Sequence, residues 1–259
     1  MTHVATANSA PLGTLRETPA AGAGVVDAAR DSRWQALFRA AGIGAILTGI
    51  LIPLQIVAFI VWPLPTGGVV EWFELFQDSP FIGLVSFDLA ILLEEVLLIP
   101  IVLALYLLLR RGTESLMLIA AAAWFVSIAL FVGSNTGFEM LALSANYAEA
   151  ASEAERVTIL AAGQAMLSAY MEQGSSFVVG YLLASGAGIL VGIGMLRTGI
   201  FPRVAAWAMI AANVLGLGLF VPGIGILLSI LSVVILIVWY LLIGWRLLRL
   251  EPANEPAGA

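Results

Sequence analysis

Glu94 and Glu95 stand side by side in "ILLEEVLLIP" (91–100), within an otherwise apolar run. Carboxylates so placed suit two kinds of chemistry: holding a cation through oxygen, or taking up and releasing a proton. No basic residue is close along the chain. Lysine is absent, and no arginine lies between Arg39 and Arg110. Asp88 is seven residues before Glu95, which on a helix places it on the same face about 10 Å away. Two further acids have polar neighbours. Glu139 follows Asn135 by one turn in "GSNTGFEML", and Glu172 stands in "YMEQGSSF" beside Gln173, Ser175 and Ser176.

Other chemistries are narrowed by what is missing. There is no cysteine, which excludes disulfides, thiolate zinc sites and iron–sulfur clusters. The one histidine, His3, is in the N-terminal stretch, so haem ligation and histidine-based catalysis within the apolar segments are excluded. Without lysine there is no retinal Schiff base, and intramembrane protease motifs are absent. No catalytic residue, cofactor or metal site is assigned, and the chain is expected not to be an enzyme.

The elements that must position these acids are set by composition. The chain has 259 residues, 61% hydrophobic and only 11% charged, with a mean hydropathy of +1.03. A soluble domain is about half apolar and a quarter charged. This much apolar surface needs lipid as its solvent. The fold expected is all-α: a polytopic membrane bundle of six transmembrane helices. The spans run from about Arg39 to Trp62, Phe81 to Leu109, Leu116 to Met140, Gln164 to Leu196, Val204 to Val221 and Ile224 to Trp245. Residues 1–33 and 251–259, rich in Ala, Gly, Pro and polar residues, read as disordered tails flanking a 34–250 membrane domain.

Arginines fix the orientation. Arg16, Arg30, Arg33, Arg39, Arg110, Arg111, Arg197, Arg203, Arg246 and Arg249 fall on one side of alternating spans, and Arg156 alone on the other. The positive-inside rule then places both termini in the cytoplasm of a bacterial inner membrane. The bacterial source is inferred from the preference for Arg over Lys with abundant Ala, Gly and Leu. Trp34, Trp62, Trp239, Tyr240 and Trp245 fit interfacial aromatic belts. There is no basic stripe for nucleic acid.

Two outer connections carry structure. "VVEWFELFQDSP" (69–80) puts Val69, Trp72, Phe73 and Phe76 on one helical face, reading as an amphipathic helix in the interface or a loop with aromatic anchors. "SANYAEAASEAERVTILAAG" (144–163) lacks a breaker before Gly163 and favours continued helix.

At about 1.5 Å per residue, Glu94 and Glu95 lie roughly 20 Å from either end of the second span. A charge at that depth costs roughly 2.5–3.5 kcal/mol on insertion scales, so such residues face a bundle interior or a water-filled cavity. Glu94 is turned about 100° from Glu95, so one can line a cavity while the other meets a neighbouring helix. Asp88, Glu139 and Glu172 have similar outer depth on three helices. If those helices adjoin, they form an outward-open polar pocket with Glu95 at its floor and Asn135 beside it. The alternative is that each acid is protonated and bonded to a neighbour. Small residues at four-residue spacing, Gly180, Ala184, Gly188 and Gly192, and Ala41, Ala45 and Gly49, read as packing seams.

The stretches "GLVSFDLAILLEEVLLIPIVLALYLLLRR", "FEMLALSANYAEAASEAER" and "GMLRTGIFPRVAAW" resemble a bacterial family of small six-span membrane proteins classed as a domain of unknown function. The resemblance covers about Trp34 to Arg249. It implies a six-helix fold and no activity, cofactor or catalytic residue. Three functions compete. One is proton- or cation-linked transport through the buried carboxylates. A second is a structural or regulatory subunit binding a protein partner, or its own copy, through the small-residue seams. The third is an enzyme acting on a lipid or isoprenoid with a divalent metal on Asp88, Glu139 and Glu172, which no ligand spacing of known type supports.

Overall fold

The computed structural model describes residues 32–87, 89–171 and 174–250. The two tails, and with them Asp88, Glu172 and Gln173, lie outside the described residues. Ten α-helices follow in order: α1 (Gln35–Val61), α2 (Val69–Asp78), α3 (Pro80–Ser86), α4 (Leu89–Leu109), α5 (Glu114–Ser134), α6 (Gly137–Glu149), α7 (Glu153–Met171), α8 (Ser175–Thr198), α9 (Arg203–Leu217) and α10 (Gly225–Leu248). No strand occurs among the described residues.

Six stretches are long and apolar enough to cross a membrane: α1, α4, α5 with α6, α7 with α8, α9 with its short 3-10 extension, and α10. Each span packs on the next in sequence, and α10 returns to α1. The spans thereby close a ring, α1–α4–α5–α8–α9–α10. With lipid outside, large apolar side chains do not need burial and small ones let backbones meet. On α1 the exposed residues include Ile43, Leu47, Ile50 and Leu54, while Ala41, Gly42, Gly44, Ala45 and Gly49 are buried. A Cβ at Gly49 would stand 2.9 Å from Leu241 Cδ2 of α10. One at Gly192 would stand 2.5 Å from Ile210 Cγ1 of α9, and one at Gly188 would collide with Asn213. The glycine seams are therefore filled within the chain. The half of the ring nearest Ser32 and Leu250 is packed by Phe38, Leu105, Met117, Met195, Met209, Ile243 and Leu247.

At the far end, α2, α3, α6 and α7 form a helical cap with a separate core. The four apolar residues expected on one face of α2 do share it: Val69, Trp72, Phe73 and Phe76 are all buried. That face packs against α6 and α7 rather than lying in the lipid interface. The reason is a better apolar partner. Gly163 of α7 leaves room for Val69 and Phe73, and Ser144 of α6 donates to the Phe73 carbonyl at 2.8 Å.

The expected second and fourth spans are each divided. Phe87 ends α3, with its ring stacked on Tyr170 at 4.2 Å and edge-on to Trp72 at 5.2 Å. Anchoring this ring in the cap turns the chain before α4 begins. The run 144–163 is also broken, at Ala150–Ser152. There Ser152 Oγ accepts the Glu155 amide and Glu155 accepts the Ala151 amide, a helix-starting box.

Candidate functional site

Because α4 starts at Leu89, Glu94 and Glu95 occupy its first two turns, not the middle of an unbroken span. Glu94 shares a face with Leu98, Ile101 and Leu105, which lie four, seven and eleven residues on and are buried. Glu95 lines up with Leu98 and with Val102, also buried. Leu93, Val96, Ile99 and Leu103 make the opposite, exposed face. Both carboxylates therefore belong to the bundle side, each half-buried.

Their depth follows from the register with α1. A Cβ at Gly44 would stand 3.1 Å from the carbonyl oxygen of Leu97. The helices are antiparallel, since α3, the outer part of the expected second span, also packs on α1. One turn outward from Gly44 is Thr48, and one turn outward from Leu97 is Glu94. Thr48 is the central residue of α1, so the acids keep a middle depth in the bundle although they stand near the start of their own helix. On the other flank, Gly49 meets Ile237 and Leu241 of α10, which brings Trp239 and Tyr240 to the same level.

The layer formed by Thr48, Glu94, Glu95, Trp239 and Tyr240 differs from the other interior polar groups. Elsewhere among the described residues they are satisfied: Ser127 Oγ donates to the Gly180 carbonyl at 2.8 Å, Ser232 Oγ to Ala212 at 2.7 Å and Asn213 Nδ2 to Met209 at 2.8 Å. In this layer Thr48 Oγ1, Glu95 Oε2 and Trp239 Nε1 are buried with no hydrogen-bond partner. Thr48 is 2% exposed and Trp239 1%. A buried polar atom left unsatisfied costs about 1–3 kcal/mol, and unexplained ones mark strained or functional places. The layer combines hydrogen donors (Thr, Tyr, Trp) with carboxylate acceptors, so it can stabilise a carboxylate or share a proton. No arginine lies on any span at this depth. Among the described residues no three His, Cys, Asp or Glu side chains converge as metal ligands.

A cavity of about 470 Å³ lies at the cap end of the ring. Its walls include Ser134 at the end of α5, Asn135 and Thr136 after it, Tyr170 of α7, and Ser175 and Ser176 at the start of α8, with Ile91, Phe131 and Phe177 supplying apolar surface. Ile91 stands one turn outward from Glu94 and Glu95 on α4, so the cavity reaches to within a helical turn of the carboxylates. Of the acids expected around it, Glu139 is exposed in the first turn of α6 and does not line it. An exposed acid near a helix N-terminus needs no pocket, because water and the helix dipole both favour its charge. Asn135 does line it, donating to the Phe87 carbonyl at 3.4 Å and accepting from the Gly137 amide at 3.1 Å.

Trp239 and Tyr240 are the residues that sequence reasoning misplaced. They were expected in an interfacial belt, whereas Trp239 is buried against the interior. The available signal was the α10 face Ser232, Trp239, Ile243 and Leu247, spaced seven, four and four residues, all buried. Thr48 was missed because a threonine among apolar residues is ordinarily satisfied by its own helix. Compared with family models, with curated proteins and with solved structures, the chain matches none, and its functional reading stands on this geometry.

Proposed function

We propose that this chain is a small multi-pass protein of the bacterial inner membrane, with both termini in the cytoplasm, that moves protons or small cations by way of Glu94 and Glu95. One observation carries the reading: two interior carboxylates share a layer with Thr48 and Trp239, whose buried polar atoms lack partners. The cavity lined by Ile91, one turn outward from the two glutamates, supports access from the far face. The orientation is supported by Arg33, Arg39, Arg110, Arg111, Arg197, Arg203, Arg246 and Arg249, which fall at one end of the ring, near Ser32 and Leu250. The resemblance to a bacterial six-span family agrees with the location and adds no activity.

The test is flux in proteoliposomes. Wild-type protein should dissipate an imposed proton or sodium gradient, and Glu94→Gln or Glu95→Gln should abolish this while the protein still inserts and keeps its helix content. Absence of any flux from the wild type, or full flux in both variants, would defeat the proposal. The competing reading, a subunit gripping a partner through small-residue seams, is the less favoured, because the seam glycines Gly180, Gly188, Gly192 and Gly49 already pack against α5, α9 and α10. A partner would have to use the exposed apolar faces, and a stable co-purifying protein in gentle detergent would be its sign.

A further inference from the structure

A second cleft, of about 300 Å³, lies at the end of the bundle where α10 ends and α9 begins. It is walled by Ile200 and Phe201 of the α8–α9 turn, by Trp245, Arg246 and Arg249 at the end of α10, and by Leu250. The Arg249 guanidinium carbon sits 3.8 Å over the Trp245 ring. Stacking on an indole holds the guanidinium plane while leaving its N–H edges free to donate. Arg246 is three residues earlier, hence on the same side of the helix. No ion pair to a described carboxylate is made by either arginine. The cleft thus brings two donor forks together against aromatic and apolar walls.

The surface leading away from it along α10 is apolar and exposed: Val238, Leu242 and Trp245 are 51%, 45% and 49% exposed. An anion held here would have its charge on the arginines and an apolar lane beside it. Free phosphate would use only the first feature, whereas a phospholipid uses both. Basic pockets between spans at the cytoplasmic side suit anionic lipid headgroups.

We infer that this cleft is a binding site for the phosphate of an anionic phospholipid, held by Arg246 and Arg249 with its acyl chains along α10. The inference is independent of any transport activity. Native mass spectrometry of the full chain, delipidated and then offered phosphatidylglycerol or phosphatidylcholine, tests it. Phosphatidylglycerol should be retained at least about tenfold better. Arg246→Gln with Arg249→Gln should remove that preference, while Arg110→Gln, which takes the same kind of charge from another turn at that end, should leave it. Millimolar inorganic phosphate should not displace the lipid. Helix content and melting temperature without lipid show whether each variant is folded. Because a double variant that unfolds answers nothing, Arg249→Lys is the second variant: it keeps the charge, loses the planar stack and should weaken the preference. Equal retention of the two lipids overturns the inference. So does loss in Arg110→Gln equal to that in the double variant, which would indicate diffuse surface charge. Displacement by inorganic phosphate overturns the lipid assignment.

Discussion

Gly44 of α1 lies against the main-chain carbonyl of Leu97 on α4, with room for a Cβ only at 3.1 Å from that oxygen. This contact sets the register of the first two spans, and through it the level at which Glu94 and Glu95 face Thr48. A polar layer that depends on a close backbone approach is sensitive to anything that widens it.

Gly44→Leu should therefore act on both stability and site. Forcing a side chain into a packed interface costs typically about 1–3 kcal/mol, so the melting temperature should fall. Flux should fall with it, as α4 is pushed from α1. Gly186→Ala is the control. A Cβ there meets nothing within 4 Å, and a mid-helix Gly→Ala change favours the helix by roughly 0.5–1 kcal/mol. A melting temperature that drops in Gly186→Ala and holds in Gly44→Leu would contradict the register.

Thr48→Val separates function from stability. The buried hydroxyl has no partner, so its replacement by a methyl of similar shape should leave stability unchanged or raise it by up to about 1–3 kcal/mol. The same variant should slow proton or cation flux, because a donor at the level of the carboxylates is gone. If Thr48→Val is clearly less stable than wild type, the hydroxyl is satisfied in the membrane and does not belong to the layer.

Trp239 offers a graded version of that test. Trp239→Ala leaves a large cavity and should cost about 3–5 kcal/mol. Trp239→Phe keeps a buried ring and removes only the N–H donor and part of the volume, so the loss should be much smaller. The expected signature is a Phe variant that folds but transports poorly. Flux indistinguishable from wild type would remove the indole from the mechanism.

The cap should melt separately from the ring. Phe87 joins Trp72 and Tyr170 in the cap core, so Phe87→Ala should lower stability by about 3–5 kcal/mol and raise hydrogen exchange in α2, α3 and α7 first. Ser152→Ala removes a helix-starting oxygen and should cost about 0.5–2 kcal/mol, with faster exchange confined to the first turn of α7. Equal acceleration in α1 and α10 would mean that the cap and the ring unfold as one.

Much of this architecture was legible in the residues. Runs of apolar side chains some 20 long, bounded by arginines or by proline and glycine, locate the spans because the bilayer imposes length and forbids unpaired backbone. The α2 pattern marked its buried face correctly, since a helical face is a local property. Its partner was not legible: whether Trp72 and Phe73 meet lipid or protein depends on Gly163, ninety residues away. The break at Phe87 was hidden for the same reason, as its cause is a ring stack with Tyr170. The Ser152–Glu155 box was readable and was passed over in favour of Ala and Glu content.

For the site, sequence alone determined that two carboxylates lie in apolar surroundings without a basic neighbour, because composition and spacing are one-dimensional facts. Only the tertiary structure decided what faces them. Thr48, Trp239 and Tyr240 are brought to the layer by glycine contacts between α1 and its two flanking helices, and Glu139 is left outside it. Those choices rest on the register of backbones at van der Waals distance, a property of pairs of helices that no single stretch of chain contains.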